Sequence, residues 1–346
     1  MSSVDTNIPN MMQVAQIEQD GGPIMIRRLS VPKPGPGQVL VRVAASTINP
    51  SDIGFISGRG TYGGRKLPVI PGIEGSGTVV TAGSGLLPNF LKGKRVACSK
   101  LPTGNGTWAE YMLTKASLCV PLQKGVSLED GATLVVNPMT ALVFFEIIKA
   151  GKHAAFVNTA AASQLGRMLL RLSQAKDIPL INVVRREEQA DLLRSLGAEH
   201  VLVSTDADFD QRLTELMHRL NATLILDAIS GDFTQRLIDA SPTGSLILLY
   251  ANLSDSPVKL LPSSLWLHDR RVAGFYLGSW ASKHGFLKML SLSRQVQNLA
   301  DAELQTTFQK RLPLSAAQEG LELYQNNMTA GKVLLVIDPK EVFIHA

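Results

Sequence analysis

AAFVNTAAASQLGRMLLRLSQAKDIPLINVVRR, residues Ala154 to Arg186, reads as one βαβ unit. AAFVN is a short apolar run. AAASQLG gathers small residues at a turn, GRMLLRLSQA carries apolar residues at helical spacing, and PLINVV is a second β-branched run. The order is strand, small-residue loop, helix, strand. In a dinucleotide-binding fold the small residues let the backbone turn tightly, approach a pyrophosphate and pack the helix on the strand. Counted back from Gly166, the glycine frame falls on Ala160, Ser163 and Gly166, and only the last is glycine. An ordinary α/β turn would give the same loop, so the following strand has to decide.

An NAD-binding unit ends its second strand on an acidic residue that accepts a hydrogen bond from the ribose 2′-hydroxyl. Here the strand runs into Arg185 and Arg186. Two guanidinium groups cannot accept that bond, but they match a 2′-phosphate in charge and in fork geometry. The expected cofactor is NADPH. The competing reading is a solvated pair at a helix start, facing Glu187 and Glu188.

Working outward, a chain of 346 residues is long enough for two domains with separate cores. Hydrophobic content of 45% with 18% charge is that of a globular protein, and no run approaches the roughly 18 apolar residues of a membrane span. The first residues lack a basic-then-apolar signal pattern, so the expected location is cytoplasmic, without membrane partners. Two cysteines, Cys98 and Cys119, make neither a disulfide framework nor a four-cysteine zinc lobe. The net charge of +5 is spread along the chain instead of gathered in arms, so a nucleic-acid partner is not expected.

From Met12 to about Pro121 short apolar or alternating runs are separated by Gly and Pro: MQVAQIEQ, MIRRLSV, VLVRVAAS, SGTVVTAG, KRVACS and WAEYMLT. They predict a barrel-like β domain. Between them Thr47 to Glu74 reads as one long irregular loop, and a loop of that length in a compact domain is usually functional. Residues 128–150 read as helical, with Pro138 ending one helix and starting another. Beyond Arg186 helices and short apolar strands alternate, as in a parallel sheet covered on both faces: HVLV, TLILDA, SLILLYA and RVAGFYL. Helical patterns follow from Ser279, and GKVLLVI is a last strand expected to return to the N-terminal domain. The expected boundaries are 1–127, 128–278 and 279–346.

Six ordered motifs carry a resemblance over nearly the whole chain: INPSD (48–52), LPVIPGIEGSGTVV (67–80), NGTWAEYML (105–113), NPMTA (137–141), LRSLGAEHVL (193–202) and GKVLLVI (331–337). The sequence resembles the medium-chain dehydrogenase/reductase superfamily. The resemblance implies an α/β fold: a Rossmann doubly wound parallel sheet plus an N-terminal GroES-like β-barrel domain. Where zinc members of that superfamily carry a cysteine and a histidine, this chain has Asn49 and Ile73. Isoleucine cannot ligate zinc, Glu74 alone does not make a site, and the histidines include no close pair. No metal is therefore expected.

Hydride addition to an isolated ketone leaves an alkoxide that the zinc enzymes stabilise. Addition to an α,β-unsaturated carbonyl or a quinone gives a delocalised anion that hydrogen-bond donors can hold. Within the zinc-free branch the quinone oxidoreductases often carry a tyrosine at the place of Gly54. The 2-enoyl thioester reductases have Asn-Pro-Ser-Asp followed by Tyr-Gly, matched here by Asn49 to Asp52 and Tyr62-Gly63 with two extra residues between. Tyr62 is accordingly the expected proton donor, or else a surface tyrosine. Asn49 in the same loop and Thr140 are expected to position the cofactor, although both types also cap helices and turns. Asp52 reads as the start of a short helix, where a carboxylate is favoured. Tyr250, Ala251 and Asn252 end a strand where such a sheet presents its carboxyl edge to the cofactor.

The expected activity is NADPH-dependent reduction of a small-molecule enoyl thioester or alkenal, with quinone reduction or a non-catalytic NADPH-binding role as alternatives. RVAGFYL is an apolar edge expected to pair with a twin in a homodimer.

Overall fold

The computed structural model describes residues 8–58, 66–101 and 104–343. The chain divides into two compact units. The first holds the residues up to Asn137, then Leu290–Ala300 and the residues from Thr306 onward; the second holds Pro138–Met289 and Asp301–Gln305.

The first unit begins with strands β1 (Met11–Gln16), β2 (Met25–Ser30) and β3 (Gln38–Thr47), then helix α1 (Pro50–Ser57). It continues through β4 (Glu74–Ala82), α2 (Leu86–Leu91), β5 (Arg95–Ser99), β6 (Tyr111–Lys115), β7 (Cys119–Pro121) and α3 (Leu128–Gly131). The stretch expected to be one irregular loop from Thr47 to Glu74 therefore contains a helix. Its start is written locally: Asn49 is the N-cap, Pro50 takes the first turn where its missing N–H costs nothing, and the Asp52 carboxylate accepts from the Asn49 backbone N–H. Gly58 closes it at φ 67°, the left-handed conformation glycine adopts without penalty. Tyr62 lies outside the described residues.

β3 shows how these strands form a core. Val39, Val41 and Val43 alternate onto one face and pack with Val79, Val96, Cys98 and Met112. A second cluster, built on Ile48, Phe55, Trp108, Tyr324 and Val333, lies beneath the start of α1. Trp108 is fully buried there, so it is a core residue; burying an indole of about 200 Å² is worth up to about 5 kcal/mol.

The second unit opens with α4 (Asn137–Gly151), which carries Pro138 in its first turn. The first of the two expected helices in this stretch, α3, stops already at Gly131. Then come β8 (Ala155–Asn158), α5 (Gln164–Ala175), β9 (Leu180–Val184), α6 (Glu187–Ser195) and β10 (His200–Val203). They are followed by α7 (Phe209–Leu220), β11 (Ala222–Asp227), α8 (Phe233–Ala240), β12 (Leu246–Leu249), α9 (Ser263–Trp266) and β13 (Arg271–Gly274). Among the described residues the strand order is β10-β9-β8-β11-β12-β13, all parallel. This is the doubly wound Rossmann order, with its topological switch between β8 and β11. Leu165, Met168, Leu169 and Leu172 form the buried stripe of α5, which is the helical period seen in the sequence.

Helix α10 (Leu277–Asn298) is interrupted at Gly285, where the backbone is non-helical. The chain then forms β14 (Phe308–Pro313), α11 (Ala317–Asn326), β15 (Lys332–Val336) and α12 (Pro339–Phe343). β15 pairs antiparallel with β3 and parallel with β14, so the last apolar strand does return to the N-terminal sheet, which runs β14-β15-β3-β4-β5-β7 with β6 on β3.

Candidate active site

Each unit holds a polar cluster. In the second it lies at the switch point, where a parallel sheet opens toward its ligand. β8 ends at Asn158, and the loop Thr159 to Ser163 leads into α5. Ala160 stands at φ 50°, a left-handed conformation glycine would take more easily. The Ser163 side chain caps α5 by accepting from the Gly166 N–H at 3.2 Å. Gly166 is obligatory: a Cβ there would sit 2.0 Å from the Ala161 carbonyl oxygen. The backbone N–H groups of Ala162 and Leu165 have no partner among the described residues, which leaves donors at a helix N-terminus for an anion. Two small residues, Ala160 and Ser163, and one glycine, Gly166, thus stand at the positions of the glycine frame.

The brace of this loop is Asp227, at the end of β11 and fully buried. Its Oδ1 accepts from the Thr159 hydroxyl at 3.0 Å and from the backbone N–H groups of Ile229 and Ser230 at 2.8 and 3.2 Å. Its Oδ2 accepts from the Thr234 hydroxyl at 2.8 Å. Thr159 in turn accepts from the Ala228 N–H. One carboxylate therefore ties together the two loops that flank the switch point. Sequence reasoning missed both residues; the available signal was an acidic residue ending an apolar strand just before Ser-Gly.

The other expected cofactor residues of this unit are placed as follows. Arg185 and Arg186 are exposed at the end of β9. Arg186 Nε lies 3.8 Å from Glu188, while Glu187 is engaged by Arg194. The Arg185 guanidinium has no partner among the described residues. Tyr250 is half-buried; its ring packs edge-on against Phe144 and its hydroxyl donates to Asn158 Oδ1 at 3.1 Å. The Ala251 carbonyl accepts from the Ser230 hydroxyl, and Asn252 accepts from Ser254, so this segment braces the same loop as Asp227. Thr140, in the first turn of α4, is 7% exposed, and its hydroxyl donates to no described group.

In the first unit the cluster is built around Asn49. Asn49, Asp52 and Glu74 are 0% exposed and Lys332 is 1% exposed. The Lys332 ammonium donates to Asn49 Oδ1 and, at 3.5 Å, to the Ile48 carbonyl. Asn49 Nδ2 donates to Glu74 Oε1 at 3.1 Å and to the Thr47 hydroxyl at 3.3 Å. Glu74 Oε2 accepts from the N–H groups of Val135 and Val136 at 3.0 and 2.8 Å. Asp52 Oδ1 accepts from the N–H groups of Gly72 and Ile73 at 3.2 and 2.9 Å. Burial pushes the Asp52 carboxyl up to about 6, against the Asn49 N–H and the Lys332 charge, which hold it down. Burial also pulls the Lys332 ammonium below the usual lysine range, opposed by Glu74 and Asp52. Sequence reasoning did not reach Lys332, which stands 283 positions from its partner.

Comparison with known proteins agrees with this architecture. Residues 35–124 match the alcohol dehydrogenase GroES-like domain family, and residues 165–293 match the zinc-binding dehydrogenase family. The mitochondrial enoyl-[acyl-carrier-protein] reductase of Caenorhabditis elegans is 30% identical over 82% of this chain and 83% of its own length. The mouse protein of that name is 28% identical over 91% and 85%. A crystal structure from Mesorhizobium loti, assigned provisionally as an NADPH:quinone reductase, superposes with a TM-score of 0.86 at 32% identity over 95% of this chain and 99% of that one.

The family's zinc does not fit the residues present. Both ends of the Asn49 amide are engaged, Ile73 offers no donor, and both Glu74 oxygens already accept hydrogen bonds. No group of three His, Cys, Asp or Glu side chains that could hold a metal occurs among the described residues. With a Rossmann sheet, a GroES-like domain and relatives matched along most of its length, the chain belongs to the medium-chain dehydrogenase/reductase superfamily and is an NAD(P)-dependent oxidoreductase of the enoyl reductase and quinone reductase type.

Proposed function

We propose that this protein is a zinc-independent, NADPH-dependent reductase of activated carbon–carbon double bonds, acting on a 2-enoyl thioester or an alkenal. The observation that carries the reading is the closed polar cluster around Asn49, whose donor atoms are spent on one another and leave no set for a metal. A site without a Lewis acid suits an anion spread over an enolate, which hydrogen-bond donors can stabilise. NADPH when bound supplies the hydride. The open amides of Ala162 and Leu165 at the Ser163-capped start of α5 hold its pyrophosphate, and Gly166 lets the helix pack close enough for this. Arg185, with Arg186 beside it, takes the 2′-phosphate. The unpartnered Thr140 hydroxyl positions the cofactor, and Tyr250, Ala251 and Asn252 line its edge of the sheet.

Tyr62, or a water it positions, supplies the proton that completes reduction after hydride reaches the β-carbon. Asn49 acts from within the protein interior, setting the start of α1, the helix that precedes the Tyr62 segment. NADPH oxidation assayed with crotonyl thioester, alkenals and quinones tests the activity, and no turnover with any of them would refute it. The Mesorhizobium loti neighbour favours quinone reduction as a second reading. Tyr62→Phe separates the two, since loss of enoyl reduction with intact quinone reduction assigns the tyrosine to protonation. A non-catalytic NADPH-binding protein gains no support from relatives that are themselves named as reductases.

β13 is the open edge of the Rossmann sheet and its residues are largely exposed, so the proposed assembly is a homodimer through this edge, measured by light scattering. No helix among the described residues is long and apolar enough to cross a membrane. The two enoyl reductases reported above are named as mitochondrial, so the proposed cytoplasmic location is tested by fractionation.

A further inference from the structure

We propose that Lys332 is a positioning residue of the reaction site: a built-in cation that fixes the orientation of the Asn49 amide and, through it, the start of α1 and the Val135–Val136 backbone. The proposal rests on the reductase reading above for its catalytic consequence, but its geometry stands apart from it. An amide side chain can sit in either of two orientations that fill the same space. Here one choice is enforced from both ends. Lys332 offers only donors and stands against Asn49 Oδ1, while the Glu74 carboxylate offers only acceptors and stands 3.1 Å from Nδ2. Turning the amide over would set its NH2 against the ammonium and its oxygen against the carboxylate, two repulsions in a site that water does not reach.

The consequences spread along the chain. With Nδ2 fixed, Glu74 Oε1 is held and Oε2 is left for the N–H groups of Val135 and Val136, the backbone that leads into Asn137 and α4. On the other side the Asn49 N–H meets Asp52, whose second oxygen gathers Gly72 and Ile73. Four separate pieces of chain, 47–52, 72–74, 135–136 and Lys332 itself, thus converge on one cation. Two buried carboxylates face that single positive charge, and the face of Tyr324, with its ring centre 5.9 Å away, shields it. A residue needed only to fill this volume would be apolar, because buried ion networks are often no more stable than well-packed hydrophobic replacements. What the ammonium adds is a fixed arrangement.

The test compares Lys332→Met, Lys332→Gln and Lys332→Arg by hydrogen exchange, NADPH binding and steady-state kinetics. Glutamine is neutral and both donor and acceptor, so it keeps a partner for Asn49 without enforcing an orientation, and it serves where methionine destabilises the fold. In the neutral variants exchange should rise about tenfold in peptides spanning 47–52, 70–75 and 133–137 and stay near wild type around Asp227. NADPH affinity should change less than about twofold, and kcat should fall about tenfold with little change in KM, as expected when only geometry is lost. Lys332→Arg should restore most of both. Wild-type exchange in those peptides for the glutamine variant, or an arginine variant no better than glutamine, would overturn the proposal. If the wild type turns over no acceptor, the reductase reading fails, and the exchange pattern still decides the role of Lys332.

Discussion

Replacing Asp227 tests the brace of the cofactor loop. In Asp227→Ala the two hydroxyl donors can turn elsewhere: Thr159 already lies 3.5 Å from the Leu226 carbonyl. The N–H groups of Ile229 and Ser230 cannot turn, and each buried donor left without an acceptor costs about 1–3 kcal/mol. The void of about 30 Å³ left by the carboxylate adds roughly 0.7 kcal/mol. The sum is about 3–7 kcal/mol. Asp227→Asn keeps Oδ1 for both amides, and its new NH2 meets the Thr234 hydroxyl, which can reverse and accept. Only the charge-assisted part of the bonds is lost, about 1 kcal/mol. At roughly 2–4 °C per kcal/mol for a domain of this size, Ala should lower the melting temperature by about 5–25 °C, near 14 °C at mid-range, and Asn by about 3 °C. NADPH affinity should follow, falling about tenfold for Ala and less than about threefold for Asn. Thermal melts read by far-UV circular dichroism, with fluorescence titration of NADPH, measure both. Equal shifts for the two variants, or an Ala variant that melts within a few degrees of wild type, would refute the assignment of Asp227 as the brace.

Three further outcomes follow from the same geometry. Arg185→Ala should weaken NADPH about 10–100-fold and leave NADH unchanged, with a smaller effect for Arg186→Ala because Glu188 shares that guanidinium; the ratio of the two dissociation constants reads this directly. Ala160→Gly should stabilise slightly, by about 0.5 kcal/mol in urea denaturation, because relieving a left-handed alanine is worth about 1–2 kcal/mol and the freer unfolded glycine costs about 0.4–1 kcal/mol. Asp52, with a folded-state value of about 6 against an ordinary 3.8, binds its proton more tightly in the folded state. Its contribution therefore grows as pH falls from 6 to 4, by an amount on the order of 3 kcal/mol, and is lost as pH rises through 6. The difference in stability between wild type and Asp52→Asn should change with pH in that window and be flat above it.

The Rossmann half was legible because each of its elements is specified by its own residues. The apolar stripe of α5, the β-branched runs of β9 and β11 and the Pro138 break all depend on neighbours within a few positions. Helix α1 is equally local, since Asn49, Pro50 and Asp52 are its start signal, but the Gly and Pro residues around it dominated the reading of that stretch. Lys332 and Asp227 were not legible. Lys332 opens a strand after a turn, where a lysine is ordinarily solvated, and its burial is decided by Ile48 and Asn49. Asp227 ends a strand as many surface acids do, and only the strand order places it beside Thr159. Periodicity records which way a residue faces within its own element; it does not record which distant element closes over it.

The central claim is hydride transfer from NADPH to carbon without a metal, and the most direct measurement is isotopic. NADPH carrying deuterium at the transferable C4 position is mixed with the protein and crotonyl thioester, in the presence of a chelator, and the product is read by mass spectrometry and NMR. The account predicts one deuterium in the saturated product, located on the β-carbon, with the rate unaffected by the chelator. Oxidation of NADPH without label in the acyl chain, or a reaction abolished by the chelator and restored by zinc, would contradict it.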